Sequence, residues 1–165
     1  MKLINQSLCF IAAMLLICSC STDPINESEE LTTNLEAPIE VENDTELALE
    51  VLAVLNAHRA TLGLSELQWH NYSEDLALGH SNYMVIQSEP SHDNFYARSA
   101  SLQNNGAHIV SENVAYGYMD AESVVQGWLG SPSHKQALEG DYTHTGIGIV
   151  KNEMGVPYYT QLFFR

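Results

Sequence analysis

The chain is almost without cysteine and short of basic charge. Its three cysteines are Cys9, Cys18 and Cys20, and none follows in the rest of the 165 residues. A folded part downstream of Cys20 therefore has no disulfide of its own and depends on its apolar core. A Cys–His nucleophile pair is excluded there for the same reason. Lys and Arg number 6 against 21 Asp and Glu, a formal net charge of −15. The few basic residues are scattered, so nucleic acid is not a partner: neutralising phosphates takes clustered Lys and Arg. The sequence also lacks a His-Glu-x-x-His helix, a Ser–His–Asp signature and any internal repeat.

The apolar fraction of 45% is ordinary, and the length allows one domain with residues left over. Those residues lie at the start. Residues 1–19 read as a targeting segment: Lys2 is the basic start, and Leu8 to Ile17 is an apolar run too short for a permanent bilayer span. Ile17-Cys18-Ser19-Cys20 resembles a bacterial lipobox, which implies that Cys20 becomes the lipidated first residue of an exported protein; the alternatives are an ordinary cleaved signal peptide and an uncleaved anchor. Residues 21–44 hold eight acidic and no basic residues, two prolines (Pro24, Pro38) and no aromatics. Such a segment buries too little surface to offset its ordering entropy, so residues 20–44 are expected to form an acidic disordered tether. As a coil it spans roughly 25–30 Å. An acidic stretch soon after the lipidated cysteine resembles the surface-export signals of some Gram-negative lipoproteins. The expected location is thus the outer membrane or cell surface, with the membrane itself a partner through Cys20.

Residues 45–165 carry thirteen acidic and five basic residues, a net of −8, and read as the folded domain. Leu47, Val51, Leu52, Val54 and Leu55 form a helical stripe, capped by Asp44 or Thr45 and stopped by Gly63. Asn56 and Arg59 share a face of this helix and are expected to fix it to a neighbour. After the short apolar link of Leu67 and Trp69, a second helix is expected from Tyr72 to Gln87. His80 falls on its apolar side and reads as a core histidine satisfied by one hydrogen bond. Pro90 ends that helix, and His92 lies in the polar loop that follows, where functional residues concentrate. A short helix from Ala97 to Gln103 precedes an extended segment, Ser111 to Tyr118. Glu112 within that segment is costly unless paired.

Asp120 caps a fourth helix that runs to Leu129, with Gly130 past its end. Ser131 and Pro132 then look like an N-cap and a first helical position, which puts His134 in a first turn. The positive end of the helix dipole there favours a neutral imidazole. Two strands close the chain, Thr143 to Val150 and Val156 to Phe164. Gly146 and Gly148 share one face of the first, so a helix or a ligand packs closely on it.

The motifs, in order, resemble the CAP superfamily of cysteine-rich secretory proteins, antigen 5 and plant pathogenesis-related proteins. They are Asn56-Ala57-His58-Arg59, Ser91-His92-Asp93-Asn94-Phe95, Ser111-Glu112-Asn113-Val114-Ala115, Trp128-Leu129-Gly130-Ser131-Pro132-Ser133-His134, Tyr142-Thr143-His144-Thr145-Gly146-Ile147-Gly148 and Tyr159-Thr160-Gln161-Leu162-Phe163. The resemblance covers residues 45–165. It implies an α+β fold, a three-layer α-β-α sandwich around a central antiparallel sheet. It also implies a shallow cleft lined by two histidines and acidic residues, at positions matched by His92, Glu112 and His134. His144 is a further candidate for the cleft, with a structural role beside the glycine strand as the alternative. Many eukaryotic members carry a second Glu three residues after the helix tryptophan; here that position is Ser131.

Two functions are open to such a site. One is a non-enzymatic, membrane-tethered module whose cleft binds a lipid, glycan or protein. The other is a hydrolase in which His92 and His134 hold Zn²⁺ and Glu112 is the general base. A polar network that only holds the loops together is the bland third reading.

Overall fold

The stripe of Leu47, Val51 and Leu55 is one wall of the core. In the computed structural model, which describes residues 41–165, α1 spans Thr45–Thr61 and buries Leu47, Ala48, Val51 and Leu55. Asp44 caps it by accepting from Leu47 N, and Gly63 follows it with φ +70°. The leader, Cys20 and the tether as far as residue 40 lie outside the described residues.

After α1 come β1 (Gln68–Trp69), α2 (Asn71–Gln87), α3 (Phe95–Asn104), β2 (Val110–Tyr116), α4 (Ala121–Leu129), α5 (Pro132–Leu138), β3 (His144–Lys151) and β4 (Pro157–Phe164). The strands form one sheet in the order β1-β3-β4-β2. The three long strands are antiparallel neighbours, as expected; β1 adds a two-residue parallel edge to β3, so the sheet is mixed. β1 is the segment read above as a mere apolar link.

Alternation along the strands makes two cores. Ile147, Ile149, Tyr159 and Phe163 face α1, α4 and α5, where Val51, Leu55, Val124, Trp128 and Leu138 meet them. Leu162 faces the other way, with Ala77 of α2 and Leu102 of α3. The result is three layers, α-β-α. Gly146 and Gly148 lie on the α2 side. A Cβ at either would run into the α2 backbone, at Ser73–Glu74 and at Ala77–Leu78 respectively. The close neighbour of the glycine face is therefore a helix.

Two polar side chains fasten the first layer. Asn56 exchanges bonds with Leu67, Nδ2 to O at 3.0 Å and N to Oδ1 at 2.8 Å. Arg59, 1% exposed, donates to the carbonyls of Ser65, Leu138, Gly140 and Tyr142. Buried charge is tolerated because each donor finds an oxygen. Asn43 and Asp44, placed with the tether by composition, are bonded into the folded part. Asn43 Nδ2 donates to Ile147 O at 2.9 Å and its Oδ1 accepts from Ile149 N at 2.8 Å, so one carboxamide covers the free edge of β3 beyond β1.

Candidate ligand-binding cleft

Glu112 lies in mid-β2 opposite Leu162, so its side chain points to the α2–α3 side of the sheet. It is 1% exposed as a side chain and fully engaged. Arg98 of α3 donates Nε to Oε2 at 2.7 Å and Nη2 to Oε1 at 2.9 Å, a bidentate pair. His92 Nδ1 bonds to Oε1 at 2.9 Å. Burial alone pushes the Glu112 carboxyl upward, but hydrogen bonds from His92 and Arg98, with the Arg98 charge, outweigh it. Its pKa therefore lies below the usual 4.5.

The loop that presents His92 is held from three sides. Ser88 turns the chain out of α2 in the left-handed region, φ 57°. His80, buried in α2, bonds through Nε2 to Ser91 O at 2.8 Å. Since a carbonyl only accepts, Nε2 carries the proton. Burial pushes His80 below its ordinary 6.5. Arg98 Nη1 donates to Asp93 O at 2.8 Å, so the residue that neutralises Glu112 also fixes the loop. His80 is thus the satisfied core histidine expected from its place on the helix, and its partner is the site loop itself.

His134 reaches the site from the opposite layer. Pro132 starts α5, and Asn113 Nδ2 donates to His134 O at 3.1 Å, which ties the helix to β2. His134 lies below its ordinary 6.5 as the helix-dipole argument anticipated, but the causes differ: burial first, then its electrostatic interaction with His92.

Beside them runs a cleft of about 470 Å³ lined by Pro90, Val114, Tyr116, Tyr118, Ser131 and His134, with Trp128 and Gly127 at its base. The aromatic wall escaped the sequence reading. Its signal was Gly127, a glycine inside a helix: a Cβ there would collide with the ring of Tyr118, so the glycine seats that ring on α4. A larger groove of about 690 Å³, beside Asn43, Val85, Ile86 and Lys151, contains no histidine. We place the candidate site in the smaller cleft, which His134 lines and whose rim at Pro90 belongs to the loop of His92.

His144 does not join this group. It pairs with Phe164, so β4 stands between it and β2. Its ring stacks on Phe164 at 5.2 Å and lies edge-on to His70 at 6.0 Å, and Nδ1 bonds to Thr143 Oγ1 at 2.8 Å. These are packing contacts at the other end of the sheet.

The donor set does not fit a resident zinc. Among the described residues no three His, Cys, Asp or Glu side chains are grouped so as to hold a metal ion. Glu112, the natural third ligand, has both oxygens committed to Arg98 and His92. Ser131 offers a hydroxyl and no carboxylate, and its Oγ faces Ser133 Oγ at 3.2 Å.

The model of the cysteine-rich secretory protein family matches residues 52–163. The chain belongs to this family. A curated relative, an uncharacterised membrane protein, YlbC, of Bacillus subtilis, is 34% identical over 121 residues, 70% of this chain. The chain spans about a third of that relative's length, 34%. Among solved structures, an extracellular protein of Bacillus anthracis containing an SCP domain is 29% identical, with a TM-score of 0.64 over 73% of this chain and 41% of that one. An outer surface protein of Borrelia burgdorferi shares the fold, with a TM-score of 0.66 and 22% identity over 76% of this chain and 98% of that one. At the positions implied by the motifs, Glu112 is bonded to His92 and Arg98, and His134 lines the neighbouring cleft.

The shifted groups predict how stability follows pH. Glu112 lies below its usual 4.5 and Asp44 below 3.8, the latter through its hydrogen bond to Lys151. His80 and His134 lie below 6.5. For all four the unfolded chain binds more protons, so stability falls with falling pH. The imidazole contribution is complete above 6.5 and is lost as pH falls through the folded values. The carboxylate contribution is lost below about 4.5. Urea midpoints should therefore drop in two stages on acidification, and a midpoint flat from about pH 7.5 to 5 would refute the imidazole part.

Proposed function

We propose that the protein is an exported, lipid-anchored binding module that takes its ligand in the cleft beside His92 and His134. The observation that carries this reading is the engagement of Glu112. Its oxygens are filled by Arg98 and His92 and its pKa is depressed, so it is a weak proton acceptor and a structural anchor for the loop. The hydrolytic alternative, zinc on His92 and His134 with Glu112 as base, needs that carboxylate free. What remains accessible is a neutral imidazole, a hydroxyl and an aromatic wall, the surface of a binding site. Export is supported by the leader and by relatives described as outer surface, extracellular and membrane proteins. Cys20 would anchor the mature chain, and the ligand would be a lipid, a glycan or a protein.

Ser131→Trp tests the cleft. Ser131 makes no side-chain cap bond, so the substitution gives up only the exposed contact with Ser133 Oγ while filling the space. A short-chain phospholipid below its micelle concentration, a chitooligosaccharide and an end-blocked extended peptide are titrated into the full chain by ligand-observed NMR. At least one should bind the unmodified chain and lose at least tenfold in affinity with Ser131→Trp. If no probe distinguishes the two proteins, the cleft is not the binding site.

A further inference from the structure

The cleft runs along the last strand of the sheet, and that edge is unpaired. Ile109 and Arg165 exchange both backbone hydrogen bonds, at 3.3 and 3.2 Å, and Gly117 N donates to Pro157 O at 2.9 Å. With β2 in register from Val110↔Phe164 to Tyr116↔Tyr158, antiparallel alternation turns odd-numbered backbone groups of β2 toward β4 and even-numbered ones outward. Glu112, Val114 and Tyr116 therefore aim their N–H and C=O groups away from the sheet. Among the described residues only one of these groups has a partner in the chain: Val114 O accepts from Trp128 Nε1 at 2.9 Å.

An open edge of this kind usually carries a lysine, a proline or a bulge that blocks pairing. β2, Val-Ser-Glu-Asn-Val-Ala-Tyr, has no lysine or proline and keeps one unbroken register. Its one charge, Glu112, is turned inward and held by Arg98. The loop of Pro90 and the α4–α5 junction at Ser131 and His134 stand on either side, leaving an open slot. The donors and acceptors along it recur every second residue, roughly 7 Å apart, which is the repeat of another extended backbone and of no lipid tail or sugar ring.

Resting on the binding-module reading above, we infer that the ligand is an extended polypeptide segment that adds to β2 as a fifth strand. Val114 and Tyr116 then present its side chains with an aromatic and aliphatic floor, while the indole of Trp128 removes one rung of the ladder. Charge sets a preference. All five basic residues of the described part are engaged: Arg59 by carbonyls, Arg98 by Glu112, Lys135 by Glu139, Lys151 by Asp44 and Arg165 by Asp141. Among the described residues no Lys or Arg is left unpaired for an acidic segment, so a neutral or basic one is favoured.

The test uses a pool of end-blocked random heptapeptides selected on the immobilised full chain. Selected peptides are remade with N-methyl groups on alternate amides, in each of the two registers. One register should weaken binding at least tenfold and the other less than twofold, because only one set of amides faces β2. Binding should slow amide exchange at Glu112, Val114 and Tyr116 at least tenfold, and lysine flanks should bind better than glutamate flanks. Val114→Pro, which deletes an outward N–H and leaves the odd-numbered ladder to β4 intact, should weaken the parent peptide tenfold. The N-methyl comparison needs no protein variant and stands even if that one does not fold. Equal affinity of both methylated registers overturns strand addition, as does a pool without binders. If the pool fails while the phospholipid or the chitooligosaccharide still senses Ser131→Trp, strand addition alone falls. If no probe senses Ser131→Trp, the binding-module reading falls with it.

Discussion

Arg98→Met should destabilise the protein by about 3–5 kcal/mol, the range for removing one partner of a buried ion pair. The residue is 8% exposed, as is Glu112, and the pair is bidentate. Methionine keeps much of the stem's volume, so the loss is electrostatic: a carboxylate remains buried with only His92 beside it. For a domain of this size the melting temperature should fall by roughly 10–20 °C, read by circular dichroism near pH 7. Glu112→Gln in the same background should restore part of the loss, because it removes the unpaired charge. A loss below about 1 kcal/mol would place the pair among solvent-screened surface bridges and would overturn its burial as the organising feature of the site. Binding should suffer too, since Arg98 Nη1 also holds Asp93 O and with it the loop of His92.

Arg98 also shows where sequence reading stopped. An arginine on a short helix is ordinarily a solvated residue, and no spacing rule links it to a carboxylate fourteen positions later on a strand. Periodicity and caps, by contrast, are local. They gave α1 with Asp44, α4 with Asp120 and α5 with Pro132, because each depends on residues within one or two turns. Glu112 was legible as a charge that needed a partner, though not which one. β1 was invisible because a two-residue parallel bridge leaves no alternation to read. Asn43 read as linker because its partners, Ile147 and Ile149, are more than a hundred positions away. His144 was drawn toward the cleft by its place in a motif, yet register puts β4 between it and β2. Tyr116 and Tyr118 looked like ordinary strand residues until Gly127 explained where the second ring lies.

Gly148→Ala should be the most damaging single methyl group in the described domain. Its Cβ would meet Leu78 N, Ala77 C and Leu78 Cα, all backbone atoms of α2, so no side chain can swing aside. The helix is not free to retreat. Ser81 Oγ lies 2.8 Å from both Gly148 O and Thr160 Oγ1, which ties α2 to β3 and β4 at that level. Overpacking of this kind costs about 3 kcal/mol, and urea unfolding would read it directly. Gly79→Ala is the internal control. Gly79 is an exposed glycine of the same helix, and a methyl group added there would meet nothing within 4 Å, so alanine should stabilise by up to about 1 kcal/mol. Loss of less than about 1 kcal/mol in Gly148→Ala would mean that helix and sheet separate easily, contrary to the contacts. The consequence reaches the cleft, because the far end of α2 carries His80 and the loop it holds through Ser91. A displaced α2 should therefore draw His92 away from Glu112, coupling a packing defect on one face of the sheet to ligand affinity at its edge.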